Sequence, residues 1–181
     1  MKLVITGPRS VGKSTISKIL ATQLKVNYIS SDELSENFLR KKYKKSLDQA
    51  IKSGAIKEFI EKDAYKLIKS ALNKKDFVFD LASGAISSKT HEKTCKKIIS
   101  LVKDYKIIAL LPYKNQTKSI NLLFKRELKR EHFKDANKVE LKNKVSKDYK
   151  KLLPILKQLN VKIVYTLDGN PDKIIKKIIK S

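Results

Sequence analysis

Residues 7–15 read Gly-Pro-Arg-Ser-Val-Gly-Lys-Ser-Thr, a complete G-x-x-x-x-G-K-[ST] phosphate-binding loop. Before it, Lys2-Leu3-Val4-Ile5-Thr6 is a short apolar run with strand character; after it, Ile16, Ile19, Leu20 and Leu24 recur at helical spacing. Strand, glycine-containing loop and helix in that order restrict the chain to an α/β architecture whose first junction wraps an anion. The glycines let the backbone approach phosphate closely, so that amide N–H groups and a helix N-terminus face negative charge. Gly7, Pro8, Arg9, Ser10, Val11, Gly12, Lys13, Ser14 and Thr15 are therefore the expected contacts of a nucleoside triphosphate. Among them, Lys13 reaches the β- and γ-phosphates, and the Ser14 hydroxyl is the expected Mg²⁺ ligand. A glycine turn without nucleotide is the competing reading, and the flanking strand and helix weigh against it.

The alternation continues. Val26-Asn27-Tyr28-Ile29-Ser30 is a second predicted strand, ending at Ser31-Asp32, and residues 33–53 are predicted helical and polar. The basic run Arg40-Lys41-Lys42-Tyr43-Lys44-Lys45 within them reads as a solvated face. Ile56, Phe59, Ile60, Leu67, Ile68, Ala71 and Leu72 mark one amphipathic helix. Phe77-Val78-Phe79-Asp80 is a short buried-type strand, Thr90 to Lys103 a helix, and Lys106 to Leu111 a fourth strand closed by Pro112. Residues 113–150 are highly charged, and two helices are predicted there. One carries Ile120, Leu123, Phe124 and Leu128; the other carries Val139, Val145, Tyr149 and Leu152, and Pro154 kinks or restarts it. Val161 to Thr166 is a fifth strand. Asn170-Pro171-Asp172 caps a last helix with Ile174, Ile175, Ile178 and Ile179 toward the core. Strands alternating with helices imply a parallel sheet covered on both faces, an α/β fold in a single domain over 1–181, with a lid at about 113–150.

Composition limits the setting. The chain has 181 residues and 41% hydrophobic content, enough for one full core. A lone Cys95 excludes an internal disulfide, and no apolar run approaches the roughly 20 residues of a membrane span. A cytoplasmic protein without membrane contact is expected. The net charge of +24 attracts polyanions, yet only four of the 42 basic residues are Arg. Lys spread over nearly every helix coats a surface, whereas phosphate and base readers lean on Arg forks. Nucleic acid is thus a possible but not the favoured partner. His91, His132 and Cys95 are too isolated to form a site.

Ligands of a parallel sheet collect at the carboxyl ends of its strands. The loop, Asp32 and Asp80 end the first three strands, so one edge is expected to hold a nucleotide, a metal and an acceptor. Asp80 follows three apolar residues, the pattern of a Mg²⁺-binding carboxylate; the alternative is a carboxylate capping a local turn. Asp32 is the expected base or positioning group for an attacking hydroxyl, or else an N-cap. Ser83 and Gly84, in Ala82-Ser83-Gly84-Ala85, allow close substrate approach with backbone N–H and the Ser83 hydroxyl as donors, or else form a tight strand-to-helix turn. Arg126 and Arg130 lie four apart on one helix face and are candidates for stabilising transferring charge from a closing lid, or are surface cations. Glu127 and Glu131 beside them are expected to pair with neighbouring Lys.

These residues together make the chain resemble the shikimate kinase group of small P-loop kinases. The resemblance covers Gly7–Thr15, Ser30-Ser31-Asp32, the Val78-to-Ala85 segment and Asp168-Gly169. It implies a five-stranded parallel sheet of order 2-3-1-4-5, ATP with Mg²⁺, and a closing lid. By it, Asp32 falls on the substrate-binding, base-like aspartate, and Gly84 on the last of three substrate-site glycines. The chain departs from the pattern at Ser30, where the family has a second aspartate, at Ala82-Ser83, and at Phe59-Ile60, where the family has a Phe-Arg pair. The family's lid phrase is also missing. The expected function is ATP- and Mg²⁺-dependent phosphorylation of a hydroxyl on a small metabolite, one other than shikimate, with a divergent shikimate kinase as an alternative. The further alternatives are a nucleotide, nucleoside or polynucleotide 5′-hydroxyl kinase, and a nucleotide-dependent nucleic-acid-binding module or switch without turnover.

Overall fold

The computed structural model describes residues 1–130, 137–167 and 169–180. Five parallel strands, β1 (Lys2–Thr6), β2 (Asn27–Ser30), β3 (Phe77–Asp80), β4 (Lys106–Leu111) and β5 (Lys162–Tyr165), form one sheet in the order β2-β3-β1-β4-β5. That is the order the resemblance implies. Register aligns Ile5 with Asp80 and Ser30 with Asp80, so the carboxyl ends of β1, β2 and β3 lie side by side. All four β3 residues are buried, as a strand between two neighbours and under helices on both faces requires.

The helices are α1 (Lys13–Leu24), α2 (Ser31–Tyr43), α3 (Leu47–Lys52), α4 (Ala55–Phe59), α5 (Tyr65–Leu72), α6 (Gly84–Ser87), α7 (Glu92–Val102), α8 (Gln116–Leu128), α9 (Lys138–Gln158) and α10 (Pro171–Ile179). Leu3, Ile5, Leu20, Phe77, Phe79, Ile108 and Leu110 centre the main core. Gly7 shows why the first loop must begin with glycine. Its φ is +145°, and a Cβ there would lie 2.3 Å from the Leu110 carbonyl oxygen of the neighbouring strand β4.

A second, smaller core of Leu39, Ala50, Phe59 and Ala64 lies among α2 to α5. The amphipathic segment predicted as one helix over 56–72 is broken there by a π-helical turn at Ile60–Ala64. The wider turn brings both Phe59 and Ala64 onto the small core, which an unbroken 3.6-residue period does not do for residues five apart.

Three local expectations change. α9 runs through Pro154 without restarting, because Leu152 and Leu156 on either side are both buried and hold the helix against the main core. Val139 is 69% exposed, since α9 joins the core only from Leu141 onward. Ile179 is 53% exposed at the fraying last turn of α10, whereas Ile174, Ile175 and Ile178 are buried. Asn170 caps that helix through the amides of Asp172 and Lys173. The region assigned to a lid comprises α8, part of α9 and residues 131–136, which, with His132 and Glu131, lie outside the described residues; Asp168 does too.

Candidate active site

The first loop leaves β1 and turns into α1 through Gly12, whose φ of +101° lies in the left-handed region and serves as the helix N-cap. The first amides of α1 have no acceptor within the helix, so they form the positive end of a dipole at the loop's mouth. The Lys13 Nζ donates to the Pro8 carbonyl at 3.1 Å, spanning the loop. Burial pushes the Lys13 pKa down, the charges of Asp80 and Asp32 pull it back up, and the nearby Arg130 and Arg9 push it down again. Four charged groups therefore bear on one lysine.

Ser14 and Asp80 meet directly: the Ser14 hydroxyl donates to Asp80 Oδ2 at 2.6 Å. The same oxygen accepts from the Tyr28 hydroxyl at 3.4 Å. Asp80 is buried, and that burial raises its pKa against the hydrogen bond from Ser14 and the charge of Lys13. Tyr28 is pushed up to about 12, chiefly by burial. Ser30 and Asp80 are register partners on adjacent strands. The carboxylate that residue 30 lacks is thus present one strand over, at the same height along the sheet, and within reach of the loop's serine.

Asp32 does not cap α2. The N-cap is Ser30, whose Oγ accepts from the Glu33 amide at 3.2 Å, and Asp32 stands exposed in the first turn beside the loop. Glu33, Glu36, Asn37 and Leu47 join it around a cleft of ≈ 530 Å³. Glu36 is engaged by Arg40 at 2.5 Å and by the Leu47 amide at 2.6 Å, and Glu33 pairs with Lys18 at 3.4 Å. The Ser31 hydroxyl accepts from the Ala82 amide at 2.9 Å, and the Thr6 hydroxyl donates to the Leu81 carbonyl at 3.1 Å. These two bonds fix the segment after β3 against the ends of β2 and β1. Ser83 and Gly84 follow on that segment, and a Cβ built on Gly84 would meet open space.

Arg126 and Arg130 both reach the loop, in different ways. Arg126 donates to the carbonyls of Ser10 and Val11 at 3.2 and 3.4 Å. Arg130 pairs with Glu127 at 3.6 Å, and Glu127 also pairs with Arg9 at 3.3 Å and accepts from the Ser10 hydroxyl. Glu127 is thus not a surface partner for Lys. Its place in the sequence carried that signal, because it falls on the buried stripe of α8 with Ile120 and Leu123. Tyr28 and Ser31 were equally missed; Tyr28 lies two residues before Ser30 and so shares its side of the strand. His91 and Cys95 take no part in this edge. Among the described residues no cluster of three His, Cys, Asp or Glu is arranged to hold a metal.

The sequence matches the shikimate kinase family over residues 9–181. The chain belongs to that family. It is an ATP-dependent kinase, a phosphotransferase acting on a hydroxyl group of a small metabolite. No curated protein matches it in sequence. Among solved structures it is similar to the shikimate kinase of Bacteroides thetaiotaomicron, with a TM-score of 0.72 at 15% identity, covering 99% of this chain and 97% of the other. The shikimate kinase of Acinetobacter baumannii, solved with shikimate, gives 0.70 at 17% identity, with coverages of 99% and 90%. A gluconokinase of Sinorhizobium meliloti gives 0.52 at 14%, with 99% and 89%. At such identities these likenesses show the fold alone.

Proposed function

We propose that this kinase binds Mg·ATP on the 7–15 loop and transfers the γ-phosphoryl group to a hydroxyl of a small metabolite that carries no carboxylate for the site to clamp. The 2.6 Å contact between Ser14 and Asp80 carries the donor half of the reading. Ser14 and Asp80 would hold the cation, directly or through water, and the cation would supply Lewis acidity at the β- and γ-phosphate oxygens. Lys13 would neutralise charge developing on those oxygens. Burial lowers its pKa, as a dry cradle would, and bound phosphates would favour its charged form.

Asp32 stands at the adjoining strand end, where it would accept or orient the acceptor's hydroxyl proton. Ser83 and Gly84 would border the same acceptor. The cleft beside Asp32 is lined by three carboxylates, Asp32, Glu33 and Glu36, with Asn37 and Leu47. Glu33 and Glu36 are paired with Lys18 and Arg40, so Asp32 is the carboxylate an anionic acceptor would meet, and Phe59-Ile60 supplies no guanidinium to clamp such an acceptor. That supports a neutral or cationic polyhydroxy compound over shikimate and over a polynucleotide end. The test is ADP release with Mg·ATP against a panel of hydroxy acids, neutral polyols and aminated sugars. Turnover on neutral or cationic members supports the proposal; turnover confined to hydroxy acids contradicts the acceptor assignment.

A further inference from the structure

α8 grips the apex of the phosphate loop from outside. Arg126 takes the carbonyls of Ser10 and Val11, and Glu127, one residue on, takes the Ser10 side chain, Arg9 and Arg130. A peptide unit whose carbonyl points out toward a guanidinium turns the N–H of the next residue the opposite way. The amides of Val11 and Gly12 therefore point away from Arg126, toward the inner side of the loop. Ser10 itself has φ +62°, a left-handed conformation that is unfavourable for serine unless its surroundings hold it there.

The burial of the three partners separates their roles. The Glu127 side chain is 3% exposed, while Arg9 and Arg130 are 54% and 47% exposed. The carboxylate lies underneath, and the two guanidiniums rise from it toward solvent on the loop's side. Arginines at such exposure without a partner would spread over many rotamers and lose that freedom on binding. Both also bear electrostatically on Lys13, so they stand near the place where the lysine works.

We infer that Glu127 is a positioning residue that holds the loop apex and presents Arg9 and Arg130 to the donor's β- and γ-phosphates. It acts through those groups and touches no reacting atom. The inference rests on the nucleotide reading above and goes beyond it by assigning a carboxylate to the binding of a polyanion. That assignment has a sharp sign. If Glu127 only repelled phosphate, or stood in for it until nucleotide arrived, its neutralisation would tighten binding. If it braces the arginines, neutralisation weakens binding of the triphosphate alone.

The experiment is calorimetric titration of ATP and of adenosine, each with Mg²⁺, into the wild type, Glu127→Gln, Arg130→Ala and the double variant. The expected result is an ATP Kd about tenfold weaker in Glu127→Gln, with adenosine binding changed by less than about twofold. In steady state the loss is expected in KM for ATP more than in kcat, and the double variant should bind little worse than Arg130→Ala, because the two act as one unit. Wild-type binding with Glu127→Gln unchanged or tighter overturns the inference while leaving the nucleotide reading intact, as do additive losses in the double variant. A wild type that binds no ATP overturns both. Should Glu127→Gln fail to fold, Ser10→Ala cuts the loop's own bond to the same carboxylate and is judged by the same ATP-against-adenosine criterion.

Discussion

The donor side of this kinase and its acceptor side are built by opposite means. The phosphate loop is fastened at every point: Gly7 packs on the Leu110 carbonyl, Lys13 reaches back to Pro8, Ser14 bonds Asp80, and α8 holds Ser10 and Val11. It rises from the centre of the main core. The side proposed for the acceptor is formed by α2 to α5 around the small core of Leu39, Ala50, Phe59 and Ala64, with a π-helical turn between α4 and α5 and a cleft lined in part by Asp32. A triphosphate is the same in every kinase, so its cradle is rigid and conforms to one pattern. An acceptor differs from enzyme to enzyme, and the part proposed to meet it has a small core of its own, although Ile68, Ala71 and Leu72 of α5 also join the main core.

Substitutions should divide along that line. The largest effect is expected for Lys13→Ala, which removes a cation from a largely water-excluded site and should lower kcat/KM by about a thousandfold or more in a coupled ADP assay. A loss below about tenfold would detach the lysine from the chemistry.

Asp80→Asn comes next, with kcat lowered by about a hundredfold and the Mg²⁺ dependence of the rate weakened. Its effect on stability should run the other way. Burial raises the pKa of Asp80, so the folded state binds protons more readily than the unfolded chain, and ionisation at neutral pH weighs against folding. The unliganded protein should therefore gain stability from this residue as pH falls toward its ordinary carboxylate range and lose it as pH rises through the elevated value. Asp80→Asn should erase that slope and raise Tm at pH 7, whereas a lower Tm would mean that Asp80 is held mainly by favourable bonds. Turnover has the opposite pH sense, declining as acid protonates the carboxylate.

Asp32→Asn should reduce kcat by about ten- to a hundredfold while leaving ATP affinity in place, since the residue stands on the acceptor side. A parallel loss of ATP binding would merge the two halves. The smallest functional change is expected for Phe59→Ala. It should cost about 3 kcal/mol or more of stability in the small core, raise the acceptor KM, and leave the ATP Kd within about twofold. Gly7→Ala supplies the contrast at the donor side, where a Cβ against the Leu110 carbonyl should destabilise the fold by about 2–4 kcal/mol and weaken ATP together with it.

The same division explains what the sequence revealed. Gly7 to Thr15 has a fixed spacing because backbone geometry around phosphate is fixed, and strands such as Phe77–Asp80 announce themselves by continuous burial. The parallel sheet and the placing of Ser14, Asp32 and Asp80 at one edge follow from those signals, whereas the strand order was implied only by the family resemblance. Contacts across the fold were not legible in that way. The Tyr28–Asp80 bond depends on the register of two strands, and Glu127 beneath Arg9 and Arg130 depends on how α8 crosses the loop. A helical stripe marks Glu127 as buried, but only three-dimensional packing identifies its partners. Local periodicity likewise gave one helix where a π turn interrupts, because the demand for that turn comes from the small core and not from the residues in it.

We propose that the loop, Ser14 and Asp80 together form an Mg·ATP site. The decisive experiment is calorimetric titration of ATP into the wild-type protein, with Mg²⁺ and with EDTA, repeated on Lys13→Ala. Saturable one-to-one binding is expected, weakening at least about tenfold without the metal and about a hundredfold or more without the lysine. Binding that ignores both, or no binding of ATP by the wild type, would contradict it.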